Sequence, residues 1–179
     1  MKSTELSISF IQNLVKYYAQ PDQKTTALSI IKRGIAFPPG EYTPQYKYIL
    51  HLIPGEQYEF AGFLTATLFA FHPKNTYEKF YDFGTAMAKL KLQTGSESIE
   101  NRFQSLLQAR KEDLHYHFRH AVSLLASNDI PVNYAELMTA LRFWEDENNG
   151  VQRQWAKSFW KPVKPLEENE ILNEDTIEL

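Results

Sequence analysis

A chain of 179 residues with 43% hydrophobic and 14% aromatic content can bury a core, and its size suits one domain or two small ones. It holds no cysteine, which excludes disulfide frameworks, thiolate metal sites and cysteine nucleophiles, and fits a reducing, cytoplasmic compartment. The formal charge of −3 is unevenly placed: residues 163–179 carry −5, which leaves +2 for residues 1–162, so net charge neither supports nor forbids a polyanionic partner.

Along the chain, helical periodicity dominates. Leu6, Phe10, Ile11, Leu14, Val15 and Tyr18 recur at three- and four-residue spacing, as one buried helix face requires, and Pro21 ends the run. A second helix carries Ala27, Leu28, Ile30 and Ile31 and stops at Gly34, with Lys32 and Arg33 in the last turn, where the helix dipole favours cations. Phe37 to Gly40 reads as a loop, and Thr43-Pro44 as the cap and first position of the next element. From Tyr46 to Ile53 the apolar residues also alternate like a strand; the segment is assigned as helix. Glu56 to Phe71 is apolar nearly all round, which predicts the centre of a bundle, and Pro73 closes it. Interrupted by Thr65 and Thr67, this stretch is too short to cross a bilayer, and the N-terminus lacks the layout of a secretory signal.

After Asn75 the aromatic residues Tyr77, Phe80, Tyr81 and Phe83 lead into a helix with Met87 and Leu90, ended by Gly95. Ser96 or Ser98 can cap the next, whose face is Ile99, Phe103, Leu106 and Leu107. Another follows through Leu114, Phe118, Ala121, Val122 and Leu125 until Ile130-Pro131-Val132 breaks it. Asn133 with Glu136 three residues on resembles a capping box ahead of Leu137, Leu141 and Trp144. Past a turn at Asn148 to Gly150, a last helix places Val151, Trp155 and Phe159 on one side, and Pro162 stops it. The expected fold is therefore all-α, as two small helical bundles: residues 1–94, residues 95–162, then an acidic tail over 163–179 with too few apolar residues to fold except against a partner.

The second half carries a longer pattern. Phe83 to Ala88, Ser98 to Phe103, Leu106 to Arg110, Leu114 to Arg119, Ala121 to Leu125, Ile130 to Tyr134, Leu141 to Trp144, and Val151-Gln152 with Trp155-Ala156 and Phe159-Trp160 resemble, in this order, the CasB small subunit of the type I-E CRISPR complex Cascade. The resemblance implies a helical subunit without nuclease activity or cofactor. It would lie in two copies beside the Cas7-type backbone and the large subunit, with the guide RNA and target DNA as further partners and no membrane. Such a subunit stabilises the R-loop by contacting the target strand and the displaced strand in antiviral defence. The competing class is a helical scaffold or adaptor that binds proteins alone.

Two cationic groups are candidates for nucleic-acid contact. Arg153, Lys157 and Lys161 are spaced to form one stripe opposite Val151, Trp155 and Phe159, and several cations on a rigid face suit phosphate binding. Lys111, His115 and Arg119 share the same spacing at the flank of the Leu114/Phe118/Val122 face, with Arg110 just before and Arg102 on the preceding helix. An ordinary solvated face competes with both readings, and Glu112 and Asp113 can mute the second by local pairing. Among His115, His117 and His120, His115 and His117 lie on different helix faces, no HExxH pattern is present and no second ligand pair appears elsewhere, so no metal site is expected. No catalytic combination of serine, histidine and acid stands out. The tryptophans at helical spacing read as core, with Trp160 off the apolar stripe as the exception.

Overall fold

The computed structural model describes residues 3–19 and 21–161, so the acidic tail expected over 163–179 lies outside the described residues. Within them are nine α-helices: α1 (Ser3–Ala19), α2 (Pro21–Arg33), α3 (Tyr46–Ile49), α4 (Glu59–Phe71), α5 (Phe83–Thr94), α6 (Glu97–Leu107), α7 (Leu114–Ser127), α8 (Tyr134–Arg142) and α9 (Gly150–Phe159). The one β-bridge among the described residues joins Asn75 to Val132 in parallel. None of these helices is long and apolar enough to cross a membrane.

Helix α4 is the centre that its composition predicts. Every residue from Ala61 to Ala70 is buried, and α2, α7 and α8 pack around it. Helix α1 lays Phe10, Ile11 and Leu14 into the core and packs chiefly on α8, where the hydroxyls of Ser7 and Thr139 meet at 2.9 Å. The ambiguous segment is helical, but tightly wound: 3-10 turns over Thr43–Gln45 and Leu50–Leu52 flank the single α turn of α3. Gln45 explains why the chain is pinned here, since its buried amide donates to the Ile31 carbonyl at 2.7 Å and to the Thr67 hydroxyl at 2.8 Å. A side chain at Gly34 would collide with that amide, so α2 ends on a glycine for room rather than for a left-handed backbone. Gly95, by contrast, closes α5 at φ +64 and donates to the Lys91 carbonyl, the usual left-handed helix stop.

Capping chemistry follows the sequence in part. Asn133 accepts the Glu136 amide at 3.1 Å, as half of a capping box would, but the Glu136 side chain does not reach back. It turns inward, where Trp155 Nε1 donates to one carboxylate oxygen at 3.3 Å and the other has no hydrogen-bond partner. Burial, with a smaller push from the nearby Asp82 charge, lifts the Glu136 carboxyl to about 8 against the pull of hydrogen bonds from the Trp155 indole and the Phe83 backbone. Asp82 caps α5, accepting the Thr85 amide at 2.9 Å, and also holds Ser158 of α9 at 2.7 Å. Helices α5 and α9 approach so closely that a Cβ on Gly84 would strike the Trp155 carbonyl. Trp144 and Trp155 are core, packed against each other and Phe118, as their spacing predicts. Trp160, 42% exposed, donates to Glu100 at 3.0 Å.

Candidate nucleic-acid interface

The turn after α6 and the turn before α9 meet because of one tryptophan. Trp144, buried in the turn just after α8, donates its indole N–H to the Ala109 carbonyl at 3.0 Å, while its own carbonyl accepts Gln152 Nε2 of α9 at 2.8 Å. Ala109 directly precedes Arg110 and Lys111, and Gln152 directly precedes Arg153. A buried aromatic thus fixes two cationic elements against each other. Between them opens a cleft of about 660 Å³ lined by Arg110, Lys111 and Arg153, with Glu112, Glu145 and Gln152.

The three cations are not equivalent. Lys111 is held at both ends of its reach, 2.9 Å from Glu145 and over the ring of Phe60 at 5.3 Å. Arg110 and Arg153 are exposed and make no salt bridge among the described residues. They can meet a phosphate without first surrendering a carboxylate, whereas Lys111 must exchange one. Gln152 adds a buried side-chain oxygen with no hydrogen-bond partner among the described residues.

Spacing alone grouped the cations differently. The proposed Lys111/His115/Arg119 stripe does not form one helix face, because Lys111 sits in a 3-10 turn (Lys111–Asp113) ahead of α7. His115 is half-buried, donates through Nδ1 to the Glu112 carbonyl at 2.9 Å, and lines a small void against Gly34, Phe37 and Leu64. Arg119 remains exposed on α7. On α9, Arg153 and Lys157 are both exposed one turn apart, but the helix ends at Phe159, so Lys161 lies beyond it and outside the stripe. Arg102 stands apart, exposed on α6, where it lines a separate cleft with Tyr116. What spacing could not show was the pairing of Arg110 with Arg153, which depends on the path of two turns and the Trp144 indole.

A family model described as CRISPR-associated protein Cse2 matches residues 27–160. The Cse2 protein of Thermus thermophilus is 27% identical over 142 residues, covering 76% of this chain and 79% of its own. Among solved structures, CasB from Thermus thermophilus superposes with a TM-score of 0.75 at 26% identity over 86% of this chain and 97% of that one. A chain from a CRISPR RNA-guided surveillance complex shares the fold at a TM-score of 0.74 and 16% identity, over 88% of this chain and 93% of its own.

Proposed function

The chain belongs to the CRISPR-associated Cse2 family, and from that premise we propose that it is a non-catalytic small subunit of a type I-E CRISPR surveillance complex that holds nucleic acid in the Arg110/Lys111/Arg153 cleft. One observation carries the placement: two exposed, unpaired arginines from different elements converge on a single cleft whose geometry a buried tryptophan sets. Such an arrangement suits a phosphodiester backbone, because guanidinium groups bind phosphate oxygens through paired N–H donors and read no sequence. Arg119 and Lys157, both exposed, extend the cationic surface along α7 and α9. In the assembled complex the subunit would sit beside the Cas7-type backbone and the large subunit, in two copies, and steady the target strand and the displaced strand of the R-loop.

The test is the triple replacement Arg110→Ala, Lys111→Ala, Arg153→Ala in the assembled complex, with R-loop lifetime and subunit composition measured together. Normal composition with a shortened lifetime is the expected result. For a single strand, the slope of log affinity against log salt should become shallower by about 0.7 for each phosphate contact removed. An unchanged lifetime with normal composition refutes the placement. Loss of the subunit from the complex makes the cleft a protein interface, which is the scaffold reading.

A further inference from the structure

Helices α6 and α7 pack side by side, and their outer faces leave a second cleft of about 290 Å³. From α6 come Asn101, Arg102 and Ser105; from α7 come Tyr116, His117 and His120. Tyr116 cannot reach the core, because α7 commits Leu114, Phe118, Ala121, Val122 and Leu125 to it and a residue two positions from Leu114 and Phe118 lies about 200° round the helix. The residue stays 59% exposed, its ring braced in edge contact by His120 at 4.6 Å and His117 at 5.8 Å between centroids. Burial lowers the His117 pKa from its ordinary value despite the Asp113 charge, with His120 adding to the lowering.

The chemistry of this lining is selective. No carboxylate is in it, although the chain carries more acids than bases and the Arg110 cleft contains two glutamates. Arg102 is exposed and makes no salt bridge among the described residues. A cation, an amide, a hydroxyl and an open aromatic ring on neighbouring helix turns match the parts of a nucleotide: phosphate to guanidinium, planar base to ring. The base must be unpaired, since a duplex keeps its base faces stacked inside. A site of this volume, at the small end of ligand pockets of about 300 Å³ and upward, takes one base rather than an extended ligand.

We propose that Arg102 and Tyr116 form a single-nucleotide site for an unpaired base, so that the subunit engages a nucleic-acid strand in its single-stranded form at this second cleft. The inference rests on the nucleic-acid reading above and specifies the kind of strand it concerns.

Full-length protein is titrated with fluorescein-labelled oligothymidylate and with a blunt duplex of equal length, for wild type, Tyr116→Ala, Tyr116→Phe, Arg102→Ala and the Arg110/Lys111/Arg153 triple, with melting curves confirming that each folds. Tyr116→Ala should bind the single strand about 10-fold more weakly at an unchanged salt slope, leave duplex binding alone, and be rescued by phenylalanine. Arg102→Ala should flatten the single-strand slope by about 0.7. If Tyr116→Ala binds like wild type, or loses single strand and duplex equally, while the triple weakens binding, this site is wrong and the first cleft stands. If neither set of replacements alters affinity, or wild type binds neither probe, both readings fall.

Discussion

Two carboxylate-bearing regions face each other in kind and differ in every energetic respect. At the α8–α9 contact, Glu136 is a half-buried residue whose carboxyl is turned inward, one buried oxygen unpartnered, and held up to about 8, so near neutrality it is mostly a neutral acid. At the Arg110/Lys111/Arg153 cleft, Glu145 is exposed and pairs with Lys111 at 2.9 Å in water. The first carboxyl is expensive to ionise because the hydrogen bonds it keeps do not make up for its lost hydration; the second stays in solvent and its pair contributes little. The contrast ties the stability of this fold to its interior and the proposed binding chemistry to the solvated rim, with Trp144 as the link between the two.

The largest effect should come from pH. The folded Glu136 pKa lies above the ordinary 4.5, so the unfolded chain releases this proton at lower pH than the folded one. Its contribution is fully present below pH 4.5 and is lost as pH rises towards 8, by up to roughly 5 kcal/mol at 1.36 kcal/mol per unit. Urea unfolding of wild type and Glu136→Gln across this window should give curves that diverge as pH rises, with the glutamine variant the more stable at pH 8; parallel curves would erase the contrast between the two regions. Next in size is Gly84→Ala, which should cost about 3 kcal/mol by forcing α5 from the α9 backbone, visible as a lower thermal midpoint.

Smaller changes probe the rim. Trp144→Phe keeps most of the buried ring but removes the donor to Ala109, and should cost on the order of 1 kcal/mol while weakening nucleic-acid binding more than its stability loss suggests, because Arg110 loses its fixed reference. Titration of a labelled strand at matched folded fraction checks this. Least of all, Glu145→Gln should shift stability by less than about 1 kcal/mol, and, by freeing Lys111, tighten binding rather than weaken it. A variant that loses binding would show that Glu145 orients Lys111 instead of competing for it.

Much of this fold is legible in the sequence because helices announce themselves by repetition. The faces of α6, α7 and α9, the Phe10, Ile11 and Leu14 face of α1, the apolar α4, the Gly95 stop and the burial of Trp144 and Trp155 follow from local spacing, whereas Val15, expected on the α1 face, is exposed. The candidate site is legible only as residue types. Arg110 and Arg153 stand out as cations, but their meeting depends on a hydrogen bond from Trp144 that no periodicity encodes. Helix ends mislead for the same reason: a regular four-residue spacing carries Lys111 and Lys161 into stripes although the helices begin after the one and end before the other. Glu136 misleads differently, since a capping-box spacing also suits a carboxyl drawn inward by an indole N–H.

The pairing of α1 with α8 has a consequence in time rather than in energy. During synthesis α1 leaves the ribosome well before α8, the helix it packs on most and to which the Ser7–Thr139 hydrogen bond ties it across 132 positions. At about 5–20 residues per second, the side of α1 that α8 covers waits on the order of ten seconds, with only α2 and α4 available to pack on the helix meanwhile. The nascent chain is therefore most open to chaperone capture and to misassociation over that interval, and a translational pause placed before α8 would lengthen the exposure.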